Sequence, residues 1–221
     1  MVDPQDANVV PNWRIDSWFP DIPEATRAVL KTYWDELIKA NRLLNLIPIK
    51  SIANADAIHF ADSILASRLI FADLKSKEIV DIGSGNGFPG LVFAILYPQV
   101  KMTLVDFDPK KCEFLNNIVG LVGLKNVEVQ NVQIDKLPQG SVLNAMMRGV
   151  GSLTKTLILC RRLMHSPSNL YHVKSENWGM ELADIPSQLC STFEPSLLAE
   201  YRLPIGEQKY AVVKTIKIKQ T

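Results

Sequence analysis

Ile79-Val80-Asp81-Ile82-Gly83-Ser84-Gly85-Asn86-Gly87-Phe88-Pro89-Gly90 is the stretch from which the rest of the chain is read. Residues 78–82 form a short apolar run, the pattern of a strand buried on both faces. The run stops in a turn carrying Gly83, Gly85 and Gly87, with Gly90 just beyond. Pro89 suits the first turn of a helix, where its missing N–H would have no partner anyway. Residues 91–97 are apolar enough to pack that helix on a sheet. Strand, glycine turn and helix together open a nucleotide-binding α/β fold. The glycines let ligand atoms approach the backbone where a Cβ would collide.

Two cofactor readings compete at this loop. Gly85 to Gly90 satisfies G-x-G-x-x-G, the dinucleotide pattern. That pattern should begin as the strand ends, however, and the first glycine there is Gly83. Counted from Gly83 the loop is G-x-G-x-G, which resembles motif I of S-adenosylmethionine-dependent methyltransferases. A second strand over 101–106 ends in Asp106, an acid about twenty residues on that would accept hydrogen bonds from ribose hydroxyls in either cofactor. A dinucleotide, or a plain strand-to-helix turn, stays open as an alternative.

Composition narrows the class. A chain of 221 residues can bury a full core. With 24 basic and 23 acidic residues the net charge is +1, so RNA contact would need a local basic face. The three cysteines, Cys112, Cys160 and Cys190, are widely spaced. They suit a reducing compartment, with no disulfide framework and no zinc spacing. The first residues lack the charged-then-apolar pattern of a leader, and no apolar run reaches about eighteen residues. A soluble cytoplasmic protein, without membrane or metal, is expected.

Along the chain, residues 1–20 show no period and are expected to be a loosely packed lead-in. Val29, Leu30, Tyr33, Trp34, Leu37 and Ile38 then recur at three and four, one face of an amphipathic helix. Asp21 could cap it, with Pro23 in its first turn. A turn at 45–48 and a second helix over 54–71 follow, completing a helical cap beside the cofactor cleft. The remaining pattern predicts helix 109–120, strands 127–130 and 143–147, helix 152–164 capped by Ser152, strand 169–173, a loop or short helix at 186–195, and a terminal antiparallel hairpin of 197–203 with 210–218. Alternating strands and helices argue a doubly wound, Rossmann-like α/β sheet. The expected division is 1–72 for lead-in and cap, and 73–221 for the sheet domain.

Several short stretches, in order from about residue 25 to 215, resemble one family, RsmG (GidB), the guanine-N7 methyltransferases of bacterial 16S ribosomal RNA. Gly83-Ser84-Gly85-Asn86-Gly87-Phe88-Pro89-Gly90 resembles its G-T-G-x-G-x-P-G, and Asn45-Leu46 its N-L-T. His59-Phe60-Ala61-Asp62-Ser63 resembles R-H-x-x-D-S, and Lys110-Lys111-Cys112-Glu113-Phe114-Leu115 is similar to K-R-x-x-F-L. Met147-Arg148 with Ser152-Leu153 looks like S-R-A-x-x-S-L, and Val173-Lys174-Ser175 like L-K-G. Three positions depart from the pattern: Ile47 for threonine, Ile58 for arginine, and Gln133 for arginine after a one-residue insertion. The chain resembles a divergent member with fewer arginines for RNA.

The resemblance implies S-adenosyl-L-methionine as cofactor and 16S ribosomal RNA or the small ribosomal subunit as partner, with the protein a monomer. Gly83, Gly85 and Gly87 would admit the methionine end of the donor, with backbone groups of Ser84 and Asn86 bonding it. Phe88 would line that site, Asp106 would hold the ribose, and Ile134 and Asp135 would lie beside the adenine. Arg148 would touch donor or acceptor base, the one residue in a catalytic role, because guanine N7 carries a lone pair and needs no general base. Guanine N7 and O6 suit a guanidinium. Lys110, Lys111, Lys174 and His59 are the candidate RNA contacts, and Lys101, Lys125, Arg161 and Arg162 could add basic surface. A small-molecule methyltransferase and a non-catalytic RNA-binding relative are the alternatives.

Overall fold

The computed structural model describes residues 10–219. Seven strands form one sheet in the order β3-β2-β1-β4-β5-β7-β6. They are β1 (Glu78–Ile82), β2 (Lys101–Asp106), β3 (Val127–Asn131), β4 (Val142–Arg148), β5 (Met164–Ser175), β6 (Phe193–Arg202) and β7 (Lys209–Lys217). The first five in sequence pair in parallel. β7 inserts antiparallel between β5 and β6, so the expected terminal hairpin is present but woven into the sheet. β1 and β2 lie in register, with Ile79 opposite Met102 and Ile82 opposite Val105.

Helices cover both faces, as parallel strands require. Strand residues alternate between the two layers: Ile79, Met146, Tyr171 and Val212 join one apolar cluster, and Ile82, Met147, Leu170 and Val213 the other. The first cluster carries α2 (Glu24–Leu44), α3 (Asp62–Asp73), α4 (Gly90–Leu96) and α5 (Pro109–Val122). The second carries α6 (Leu153–Cys160) and α8 (Ser187–Cys190), with α7 (Trp178–Ala183) beside it. α2 buries Leu30, Tyr33, Trp34 and Leu37, the stripe its period predicts. Each such buried side chain contributes about 1.5–3 kcal/mol over exposure.

Several expectations are corrected. Residues 1–9 of the lead-in lie outside the described residues. Residues 10–20 are packed, not loose: α1 (Ile15–Trp18) buries Ile15, and Trp13 lies 5.4 Å from Phe60. Arg14 also pairs with the fully buried Asp56 at 2.7 Å. Asp21 does not cap α2; it pairs with Arg68, and the capping position is Pro23. Pro89 likewise stands at the cap of α4 rather than inside its first turn. The second helix, expected over 54–71, divides into a wide turn at Asp56–Ala61 and α3, preceded by a tight turn at Ile49–Asn54. Helix 152–164 stops at Cys160, yielding Met164 to a longer β5; Ser152 caps its start by accepting from Lys155 N at 3.3 Å.

Candidate active site

The glycine loop sits between β1 and β4, where the strand order reverses and open α/β sheets leave a crevice at their carboxyl ends. Gly83, Gly85 and Gly87 have φ of +73°, +57° and +103°, which side-chain-bearing residues rarely adopt. Gly83 N–H and Ser84 N–H both donate to Val105 O, at 2.9 and 3.0 Å, tying the loop to β2. The Gly85 amide donates to Asp106 Oδ2 at 2.7 Å, and Asp108 N–H to Asp106 Oδ1 at 2.9 Å. A Cβ on Gly87 would stand 2.7 Å from Tyr33 Oη, so α2 presses directly on the loop. Tyr33 also donates to Asn86 O, and the Asn86 side chain donates to Leu46 O at 2.9 Å, latching the cap to the loop.

Two cavities open near the carboxyl ends of the strands. One, of about 370 Å³, is walled by Gly83, Asp106, Phe107, Gln133, Ile134 and Asp135. Four of the residues expected to hold the donor therefore meet in one place. The other, of about 500 Å³, lies beyond β4 and β5 and includes His59, Asp62, Arg148, Lys174, Glu181 and Tyr210. Three of the residues expected to meet RNA or the reacting base, Arg148, His59 and Lys174, share it.

Other expected residues stand elsewhere. Ser84 is nearly fully buried, its N–H on Val105 O, its carbonyl accepting from Gly87 N–H and its hydroxyl donating to Asp81 O at 2.8 Å, so its backbone groups already have partners inside the protein. Phe88 is buried, its ring stacked on Tyr33 and His59 with centroids 5.3 and 5.2 Å away, and it supports the site from beneath. Lys110 and Lys111 lie on α5, outside both cavities; Lys110 borders a groove with Leu43 and Leu44 of α2.

Arg148 is held from three sides. Its Nη1 donates to Asp62 Oδ2 at 2.6 Å and to Ile58 O at 3.2 Å, and its Nη2 lies 3.2 Å from His59 Nδ1. The wide turn makes this possible: Asp62 N–H reaches back five residues to Ala57 O, a winding often found at functional sites. Asp62 Oδ1 accepts from Tyr201 at 2.6 Å, which joins β6 to the same network. A guanidinium has donors only, so His59 Nδ1 accepts and Nε2 carries the proton. Burial and the Arg148 charge push the His59 pKa down to about 3, which keeps the ring neutral.

Beneath the loop Asp81 is fully buried. One oxygen accepts from Gly90 N at 3.0 Å and the other has no partner. Burial pushes its pKa up to about 7, against the lowering pull of the Gly90 amide and Arg148. Asp81, Tyr33, Glu181, Tyr201 and Tyr210 are site residues that sequence reasoning missed. Only Asp81 carried a signal, being polar within the apolar strand run. Among the described residues no group of three His, Cys, Asp or Glu could hold a metal ion.

Comparison with known proteins bears on this geometry. The family model described as GidB, rRNA small subunit methyltransferase G, matches residues 26–197. A ribosomal RNA small subunit methyltransferase G 3 of Bdellovibrio bacteriovorus is 53% identical over 207 residues, covering 93% of this chain and 94% of its own. A ribosomal RNA small subunit methyltransferase G of Francisella philomiragia is 35% identical over 180 residues, covering 80% and 86%. Among solved structures, YcgJ of Bacillus subtilis superposes with a TM-score of 0.54 at 14% identity, covering 71% of this chain and 99% of its own. A SAM-dependent methyltransferase of Aquifex aeolicus does so with a TM-score of 0.51 at 18% identity, covering 68% and 89%. At those identities the structural likeness concerns the fold.

Proposed function

The chain belongs to the rRNA small subunit methyltransferase G family, and on that premise we propose that it transfers a methyl group from S-adenosyl-L-methionine to N7 of a guanine in 16S ribosomal RNA. The observation that carries the reading is the pair of cavities on either side of the strand-order reversal, one lined by Gly83 and Asp106, the other by Arg148.

The residues present suit the donor. A Cβ on Gly83 would stand 2.8 Å from Val150 Cγ2, so glycine is what lets the turn after β1 pack against the segment after β4 while its backbone lines the cavity. Each Asp106 oxygen, though bonded to one amide, keeps a lone pair for a ribose hydroxyl. Val105, Phe107 and Ile134 offer apolar surface to a purine face, and Asp135 stands at its edge. Bound there, S-adenosylmethionine supplies an electrophilic methyl on a sulfonium.

The protein's own work is then orientation. Guanine N7 has a free lone pair, so no side chain must remove a proton; the gain comes from holding nucleophile and methyl in line. Arg148, clamped by Asp62, Ile58 O and His59, retains donors that can meet guanine O6. Positive charge grows on the purine as the methyl arrives. Asp62, 2.6 Å from the guanidinium, balances the neighbouring cation and so limits the repulsion. The neutral His59 adds no charge of its own. Lys174 at the cleft would meet the target nucleotide, and Lys110 and Lys111 on the surface would engage RNA phosphates.

We further place residues 1–72 as a cap and 73–221 as the transfer domain of a cytoplasmic monomer; no helix among the described residues is long and apolar enough to cross a membrane. The test is radiolabelled methyl transfer onto 16S RNA and small subunits from cells lacking this protein. Label in a single guanine, lost with Arg148→Lys, is the expected result. Donor binding without label on either substrate would overturn the RNA reading and direct attention to small acceptors.

A further inference from the structure

We propose that Glu181 selects guanine, its carboxylate accepting hydrogen bonds from the N1–H and N2–H₂ edge of the target base while Tyr210 stacks against that base. The proposal rests on the N7 reading above. Glu181 lies on α7, outside every motif of the sequence, and lines the same cleft as Arg148.

Its two oxygens are used unequally. Oε2 accepts from both Lys174 Nζ, at 2.7 Å, and Leu153 N–H, at 2.8 Å. Lys174 is in turn anchored on Gly151 O at 2.5 Å. One oxygen thus does the whole structural task of starting α6 and pairing the lysine. Among the described residues Oε1 has no hydrogen-bond partner, and the side chain is 29% exposed.

The sheet sets the direction in which a base must lie. The strand order β1-β4-β5 puts the glycine loop, Arg148 and Lys174 side by side at the carboxyl ends, with Glu181 bonded to Lys174 beyond them. A guanine presenting N7 towards the loop passes O6 along Arg148 and Lys174, both donors. Its opposite edge, N1–H and N2–H₂, then faces Glu181. The donors and acceptor of the cleft follow guanine's own sequence of acceptor, acceptor, donor, donor. Adenine would set its N1 lone pair against the carboxylate, and its amino group against the cations. Tyr210, half-buried on the cleft wall and stacked on Tyr201 at 5.9 Å, offers an aromatic face to a base taken out of its helix.

The test uses the full-length protein and ligated 16S RNA with either guanosine or inosine at the labelled position. Inosine keeps N7, O6 and N1–H but lacks the N2 amine. Wild type is expected to favour guanosine by about tenfold or more in kcat/KM. In Glu181→Gln one oxygen can still accept from Leu153 N–H, but the amide nitrogen then opposes the base donors. That variant should lower the melting temperature, because Lys174 loses its counter-charge, yet remain folded, and it should treat guanosine and inosine within about twofold of each other. Wild type indifferent to inosine overturns the proposal without recourse to any variant, as does Glu181→Gln that keeps the tenfold preference. Wild type that labels no RNA overturns the N7 reading itself, and this inference with it.

Discussion

The glycine loop and the acceptor cleft adjoin one another, yet they are built in opposite ways. The loop turns on its own neighbours: Gly87 N–H donates to Ser84 O at 2.8 Å, and the Ser84 hydroxyl to Asp81 O at 2.8 Å. It reaches the sheet no further than from Gly83 N–H to Val105 O, 22 residues on, and its polar links to the cap run through Asn86, to Tyr33 and Leu46. The cleft is stitched from distant segments. Arg148 meets Asp62 across 86 residues, and Tyr201 meets the same carboxylate across 139. A loop of that kind fails by steric conflict at one residue, whereas a cleft of that kind fails when a buried charge loses its partner. The difference teaches where substitution should hurt fold most and where it should hurt chemistry most.

The strongest way to break the contrast is Arg148→Ala. Asp62 is 1% exposed, and stranding a buried charge costs about 3–5 kcal/mol. Urea denaturation should show that loss together with the loss of methyl transfer, and adding Asp62→Asn should restore much of the stability but none of the transfer. A cost below 1 kcal/mol would mean that the pair does not bind cap to sheet.

Asp81→Asn tests the loop's foundation through pH. The native carboxyl titrates near 7 and an unfolded one near 3.8. Between those values the folded chain holds a proton that the unfolded chain has released, so the stability contributed by Asp81 is present at pH below 4 and is lost as pH rises through 7. Asparagine does not titrate. The variant should therefore gain on wild type by about 4 kcal/mol between pH 4 and pH 8, read from urea midpoints. A difference that does not change with pH would mean that Asp81 ionises as freely in the fold as outside it.

Gly87→Ala should cost about 1–3 kcal/mol, since its φ of +103° is strained for alanine and the new methyl meets Tyr33. Calorimetry should show weaker donor binding, because the latch between α2 and the loop must shift. If stability and donor affinity both survive, the cap does not press on the loop as the structure has it. The smallest effect belongs to Lys110→Ala with Lys111→Ala, which lie outside both cavities. Donor affinity should be unchanged, while the salt dependence of RNA binding falls by about one unit of slope for each phosphate contact removed.

How much of this was legible beforehand follows the same contrast. The buried stripe of α2, the cap of α6 at Ser152 and the terminal hairpin were readable because each depends on periodicity or on residues within a turn of one another. Asp21 misled, because a good capping residue next to Pro23 found a better partner in Arg68, 47 residues away. The second helix misled more, since its wide turn presents the Ile58 carbonyl to Arg148, and nothing in residues 54–71 announces that arginine. β5 runs on to Met164 because Val142 of β4 pairs with it, which the apolar run ending α6 conceals. α7 and its Glu181 gave no sign at all. A short helix of six residues has too few turns to show a period.

From consecutive residues alone came the glycine turn, the acid that ends β2, the alternation of strands and helices, and the likeness to a methyltransferase family. These rest on φ values, side-chain size and periods of two or 3.6, all of which neighbouring residues determine. Which side chains share the second cavity was decided only when the sheet ordered its strands. That order brings His59 and Asp62 of the cap, Arg148 of β4, Lys174 of β5, Glu181 of α7 and Tyr210 of β7 to one rim. Burial and opposite charge then set their pairings, and both depend on what the folded chain places around a residue rather than on what precedes it in sequence.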